Sequence, residues 1–345
     1  MTTVSHVLNK TRYVHPATVD RVLEAVRELS YYQNVHARRL AQSRSDLVGL
    51  VLSEIANPFF SEAINSFQTA ALERGFEVLL CNTEYDPNRV KAIIGKLITN
   101  QVRGVAVLTS TIDATAVKEL TSHGIAVVLH NQRFIRRFIG EVRVDYSRGI
   151  SEAIEYLTKQ GHKNFGIISG PLHIRSAVIV RDAFTSALER SGLHAAHSVE
   201  SNYRVDGGSA GVRNLLSRHP FPTALLCGND LIAIGAMSVL EEVGVRVPED
   251  VSVVGCDDIF FARLSRPPLT TVHVPREQLG RLSFAAIEKI LASKSQRGRE
   301  YTVPTRLVVR RSTDVPASRT KLSAISKTMD DATRSTRGLS QEVHR

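Results

Sequence analysis

The chain has 345 residues, 43% of them hydrophobic, with no tryptophan and a formal net charge of +10, a size that suits two or three folding units. Its longer apolar runs, such as 47–52 and 126–129, fall far short of the roughly 18 to 20 residues that cross a bilayer. The start lacks the basic, apolar and small-residue parts of a secretory signal, so the expected location is the cytoplasm. Cys81, Cys227 and Cys256 are too widely spaced for a disulfide framework or a zinc set; they read as buried thiols, and no metal or cofactor is expected. The positive charge favours a polyanionic partner, weakly until the charge is located.

In chain order, residues 1–10 set Thr2, Thr3, Ser5 and His6 beside Val4, Val7 and Leu8. Short polar groups near a helix start can read base edges in a major groove while the apolar ones pack on neighbours. Asn9, Lys10 and Arg12 are placed to hold phosphates. An ordinary surface helix has the same make-up, so ten residues alone do not decide. From Val19, the apolar residues Val19, Val22, Leu23, Val26 and Leu29 recur at spacings of three and four, predicting an amphipathic helix with Pro16 in its first turn. Residues 31–45 carry Arg38, Arg39 and Arg44 around Val35, Ala37, Leu40 and Ala41, too little apolar surface for a stable isolated helix. They predict a linker that folds conditionally.

Beyond it, short apolar strands alternate with amphipathic helices. Strands are predicted at 47–52, 77–81, 104–108, 126–130, 164–169, 223–227 and 251–255, and helices at 61–74, 89–100, 148–160, 181–191 and 233–243. The alternation predicts an α/β fold of doubly wound parallel sheets, divided near Asp145 into two similar lobes. Ligands in such sheets sit beyond the carboxyl ends of the strands. Residues 317–345 are polar and basic with almost no apolar periodicity and are expected to be disordered.

An enzyme is not expected. No Gly-x-Gly-x-x-Gly opens a helix after a strand, no phosphate loop or His-Glu-x-x-His occurs, and His162 fits a structural turn. A solute-binding protein of a transport system shares a two-lobe fold, but residues 1–46 and the absent export signal argue against it. A sensor that binds ligand without binding DNA stays open beside a DNA-binding regulator.

The string from Thr3 to Val14 with the helix that follows resembles the headpiece of the LacI/GalR family of bacterial transcriptional regulators. The resemblance runs on through Asn57-Pro58-Phe59-Phe60, Val144-Asp145, Gly161-His162, Gly228-Asn229-Asp230, Pro248-Glu249-Asp250-Val251-Ser252, Gly255-Cys256-Asp257-Asp258, Pro268-Leu269-Thr270-Thr271-Val272 and Pro304-Thr305-Arg306-Leu307. It implies a helix-turn-helix headpiece at 1–32, a hinge helix or linker at 33–46, and a two-lobe, periplasmic-binding-protein-like sensor and dimerisation domain at 47–316, with the basic tail at 317–345. The family pattern begins with a helix and turn before Thr2, and the headpiece is expected to lack them, a start placed about one helix too late being the favoured cause.

The resemblance also implies roles. Thr2, Thr3 and His6 match base-reading positions, and Leu40 matches a leucine that wedges between base steps in a minor groove, flanked by His36, Arg38 and Arg39. Asp230 and Asp257 match positions that hold effector hydroxyls or ring nitrogens. Phe59, Phe60 and Tyr203 match cleft walls, Ser176 a polar contact, and Asp145 and Asn229 the same cleft. Asp230 as a helix cap and the phenylalanines as core are the plainer alternatives. The family places an effector-binding arginine four residues before Phe184, where this chain has Val180 with Arg181 one position on, a turn of about 100° around a helix. Arg181 is nonetheless the cation expected for the cleft, with Ile174 where part of the family has another arginine. The implied partners are a pseudo-palindromic DNA operator, a second copy of the chain, and an effector of sugar, polyol or nucleobase class.

Overall fold

The computed structural model describes residues 3–9, 12–29, 31, 45–109, 112–132 and 134–316. Thr2, Lys10, His36, Arg38, Arg39 and Leu40, most of the 33–46 hinge, and the 317–345 tail lie outside the described residues. The chain divides between Ser45 and Asp46 into two units.

The first unit holds α1 (Thr3–Asn9) and α2 (Pro16–Glu28). Pro16 opens α2 without a side-chain cap on the preceding His15, as suits a residue with no N–H to leave unpaired. Val7 of α1 is buried, with 9% of its surface exposed, whereas Val4, Leu23 and Leu29 stand in solvent. The predicted apolar stripe of α2 therefore exists, but none of its side chains is buried among the described residues.

In the second unit, β1 (Leu47–Leu52) shows how period-two side-chain alternation builds layers. Val48, Leu50 and Leu52 face one core with Phe60, Ala63 and Phe67 of α3 (Phe59–Glu73). Leu47 and Val51 face the other, with Val90, Ile94 and Leu97 of α4 (Pro87–Thr99). Burial on both faces is why β1 reads as an unbroken apolar run. Around it lie β2 (Glu77–Asn82), β3 (Gly104–Leu108), β4 (Ala126–His130), β5 (Ile139–Asp145) and a late strand, β11 (Glu300–Pro304), in the order β11-β5-β4-β3-β1-β2, all parallel. α5 (Ala114–Ser122) follows β3.

The second lobe's sheet runs β12-β10-β9-β8-β6-β7. Its strands are β6 (Phe165–Ser169), β7 (Ala195–Glu200), β8 (Ala224–Cys227), β9 (Ser252–Asp257), β10 (Thr270–His273) and β12 (Arg306–Val308). Only the β10–β12 pair is antiparallel. Its helices are α6 (Tyr146–Lys159), α7 (Arg175–Arg190), α8 (Val205–Leu216) and α9 (Asp230–Glu242). A 3-10 turn, Phe260–Arg263, follows β9. α10 (Arg276–Ala292) returns to the first lobe, where Leu279, Phe284 and Ile287 join the core shared with α3.

The two lobes are thus the predicted doubly wound sheets, with three differences from the sequence reading. The chain crosses between lobes at Asp145–Tyr146, again before α10, and again between β11 and β12, so the boundary at Asp145 is one of several crossings. β5, β7, β10, β11 and β12 and helices α5, α8 and α10 go beyond the predicted elements. β7 alternates exposed and half-buried residues at a sheet edge, and an edge strand lacks the apolar run that marks a buried one. Finally, α7 starts at Arg175, not residue 181, because Ala177 and Val180 extend the buried stripe of Ala183, Phe184 and Ala187 back by more than one turn. Among the described residues no helix is long and apolar enough to cross a membrane.

Candidate functional site

The carboxyl ends of both sheets meet at one cavity of about 70 Å³, where ligands of open parallel sheets bind. The first lobe contributes Ser53 after β1, Thr109 after β3, and His130 and Asn131 at the end of β4. Phe59 and Phe60, the first residues of α3, meet edge to face with ring centroids 5.1 Å apart and form an apolar wall. Phe59 N–H donates to Asn57 Oδ1 at 3.0 Å, which fixes the start of that helix. The second lobe contributes Arg175, Ser176 and Val180 from the start of α7, Tyr203, Gly228 and Asn229 before α9, and Asp257 at the end of β9. Tyr146 stands at the crossing into α6 and Tyr85 on the loop after β2.

Second-lobe groups are held by one another. Asn229 Oδ1 accepts from Ile232 N–H at 2.8 Å, capping α9, while its Nδ2 donates to the Tyr203 carbonyl at 3.1 Å. Tyr203 Oη and Ser176 Oγ lie 3.4 Å apart. Asp257 has φ of 131°, and Asn131 φ of 55°, left-handed backbone that asparagine tolerates better than most residues and that gathers at ligand sites. The Asp257 turn is secured from α10: Arg276 donates to the carbonyls of Asp257 and Asp258 and pairs with Glu62 Oε1 at 2.9 Å. Contacts that join the lobes include Arg204 with Glu54 at 2.6 Å and Arg175 Nε with the Asn131 carbonyl at 2.9 Å.

Burial sets the electrostatics. It pushes the Asp257 carboxyl well above its usual range, helped by the neighbouring charge of Asp230 and opposed by Arg276. Asp230 is pushed up to about 6 by burial, against hydrogen bonds from Thr271 and from Ile259 N–H. Burial drives the His130 imidazole down to about 4, and the Tyr85 phenol up to about 12. For Asp258 burial is outweighed by bonds from His273 and Arg310, which hold its carboxyl low. At neutral pH the cavity therefore presents a neutral imidazole, neutral phenols and an Asp257 carboxyl whose proton affinity burial raises, with aromatic faces around them. Such a lining can hold hydroxyls and stack on a ring.

Of the residues singled out in the sequence, the cavity brings together Phe59, Phe60, Ser176, Tyr203, Asn229 and Asp257. Asp230 lies behind it, fully buried and spent on Ile259 N–H and the Thr271 hydroxyl. Asp145 lines a second cavity with Arg143, Arg175 and Arg190. Arg181 is not among the residues that line the cavity and pairs with Asp182 at 2.6 Å. The cavity's cation is Arg175, which a helix predicted to begin at residue 181 leaves out. Ser53, Asn57, Tyr85, Thr109, His130, Asn131 and Tyr146 also go beyond the sequence reading; each follows or ends a strand or opens a helix, and the rule that strand ends build the site is the signal for them. Among the described residues no cluster of His, Cys, Asp and Glu is arranged to hold a metal, and the three cysteines are buried.

In the first unit, Thr3 and Arg12 are exposed, and Ser5 and His6 are half-buried on α1. Asn9 ends that helix.

Residues 1–34 match the bacterial regulatory proteins of the lacI family, and residues 154–313 the periplasmic binding protein-like domain. The HTH-type transcriptional repressor PurR of Edwardsiella ictaluri is 32% identical over 315 residues, 90% of this chain and 92% of that protein. The PurR of Haemophilus influenzae is 34% identical over 317 residues, 90% and 94% of the two chains. Among solved structures, a lac repressor dimer bound to operator and the anti-inducer ONPF is similar with a TM-score of 0.82 at 26% identity, covering 90% of this chain and 94% of that one. A complex of the transcriptional regulator CelR with cellobiose is similar with a TM-score of 0.71 at 30% identity, covering 90% and 95%. Such identity over nine tenths of both chains, on a two-lobe sensor fold, establishes that the chain belongs to the LacI family of bacterial regulatory proteins.

Proposed function

We propose that this protein is a ligand-responsive transcriptional repressor that binds a pseudo-palindromic operator as a homodimer in the cytoplasm and takes a small sugar-like effector in the interlobe cavity. The observation that carries the reading is the convergence of both sheets' carboxyl ends on one cavity with aromatic walls and the buried carboxyl of Asp257, in a chain whose first 34 residues match the lacI regulatory family. Solved relatives support the ligand class and the assembly: one is complexed with cellobiose, another with ribose, and the lac repressor is bound to operator as a dimer. Thr2, Thr3, Ser5 and His6 read bases, Asn9, Lys10 and Arg12 hold phosphates, and the segment around Leu40, with His36, Arg38 and Arg39, meets the minor groove. Phe59, Phe60 and Tyr203 stack on the effector, and Asp257, Ser176 and Asn229 bind its hydroxyls. Arg276 holds the Asp257 turn through the Asp257 and Asp258 carbonyls, and Asp230 accepts from Ile259 N–H just beyond it.

The test is selection of bound sequences from a random duplex pool, followed by anisotropy titration on the enriched site. A two-fold symmetric site bound tightly, with affinity falling steeply as salt rises, is the expected result. Enrichment of no sequence would remove the operator reading.

A further inference from the structure

We infer that Arg175, Asn131 and His130 form an anion subsite at one end of the cavity, so that its ligand is a small hydroxylated acid and not a neutral sugar. The inference rests on the cavity being an effector site. Arg175 opens α7, and its Nε donates to the Asn131 carbonyl at 2.9 Å. Among the described residues no carboxylate lies within ion-pair distance of it. Asp145 and Asp182 line the adjoining cavity beside Arg175, yet Asp182 is taken by Arg181. The remaining guanidinium N–H groups are thus uncommitted, and Arg175 is the one permanently charged cation among the described residues that line the central cavity.

Asn131 supplies an independent sign. The residue is 5% exposed, and its Oδ1 accepts from Val144 N–H at 2.9 Å, which fixes the orientation of the amide. Nδ2, the other end, is buried without a partner in a residue that lines the cavity. His130 repeats the pattern, with a buried, unpartnered Nε2 on the same lining. Buried donors without acceptors are costly, and a ligand that supplies acceptors relieves that cost.

The chemistry of the set favours an anion over a hydroxyl. A guanidinium and an amide NH2 only donate, and a neutral imidazole can present a donor by choice of tautomer. A hydroxyl placed among them would also need an acceptor for its own proton. A carboxylate or phosphate only accepts, and its bond to a guanidinium is charge-assisted. Hydroxyl-binding groups that can accept, Asp257 with Ser53 and Asn57, line the same cavity. A ligand with an acid group and several hydroxyls matches both sets.

The experiment is calorimetric titration of the full chain with matched probes: hexuronates and hexonates, the corresponding neutral hexoses and hexitols, and hexose phosphates, all at one ionic strength. At least one acid is expected to bind about tenfold or more tighter than its neutral counterpart. Arg175→Gln is expected to erase that preference, and Arg175→Lys to restore part of it. Arg175 is exposed, so neither variant endangers folding, and a thermal melt checks this. Preference for hexuronates or hexonates assigns a carboxylate, and preference for hexose phosphates a phosphate ester. Neutral sugars binding as tightly as the acids, or acid affinity unchanged in Arg175→Gln, would overturn the anion subsite while leaving the effector site standing. No binding by any probe would count against both.

Discussion

His130 shows how one buried side chain carries a pH signature. Its imidazole titrates near 4 in the folded protein because burial disfavours the cation, whereas an unfolded chain protonates near 6.5. Between those values the unfolded state binds more protons than the native state. The contribution of neutral His130 to stability is therefore intact above pH 6.5 and shrinks as pH falls toward 4. Asp230, raised to about 6, works in the opposite sense: its contribution is complete below the ordinary carboxylate value and is lost as pH rises through 6. A whole-protein pH curve mixes the two, so the informative quantity is the difference between the wild type and His130→Gln. From pH 7 to pH 5 the wild type should lose about 1 to 2 kcal/mol relative to the variant, read from urea midpoints. Parallel curves would mean that the imidazole is not desolvated.

At the scale of elements, the crossing of α3 and α10 rests on Gly280. A Cβ there would collide with the Ser66 hydroxyl and with the Ala63 carbonyl, backbone that cannot swing away. Gly280→Ala should destabilise the second unit by about 1 to 3 kcal/mol through overpacking. Gly95, inside α4, faces open space, with no neighbour within 4 Å of where a methyl group would stand, and Gly95→Ala should stabilise by roughly 0.5 to 1 kcal/mol through helix propensity. Chemical denaturation of both variants checks the pair; a shift of the same sign in each would refute the packing argument. The same contrast explains what was legible. β1, β3 and β4 are buried on both faces and announce themselves as apolar runs, while β7, β11 and β12 are short or half-exposed and do not. The cleft aromatics Phe59, Phe60 and Tyr203 are placed by the family resemblance, and the cavity lining includes all three. Arg175 could not be placed, because its role depends on where α7 begins, and helix starts without a capping side chain, as here, leave little mark in the sequence. Asp230 misleads for a related reason: it opens α9 beside the cap residue Asn229, but its carboxylate turns inward to Thr271.

For the whole molecule, a cavity closed by groups from both lobes makes ligand binding sensitive to lobe geometry. Arg175 and Arg204 of the second lobe each bond to the first, at the Asn131 carbonyl and Glu54. A ligand drawing Arg175 from that carbonyl changes one of these links, while the Glu54 pair, with Arg204 largely exposed, is worth only about 0 to 1 kcal/mol. If the cavity controls DNA binding, the two affinities are linked by one coupling free energy, and the linkage is reciprocal. A ligand that changes operator affinity by a given factor, on the order of 5-fold to 150-fold in such systems, must find its own affinity changed by the same factor when operator is present. Anisotropy titrations of operator with and without ligand give the first factor, and calorimetry of ligand with and without operator gives the second. Equal factors greater than one are expected for the wild type. In Phe60→Ala, which strips an aromatic wall from the cavity, ligand binding should weaken about tenfold or more, while operator affinity without ligand stays as it was. A loss of operator affinity in that variant, with its fold intact by thermal melt, would show that the cavity wall serves the DNA-binding state directly and not through the ligand.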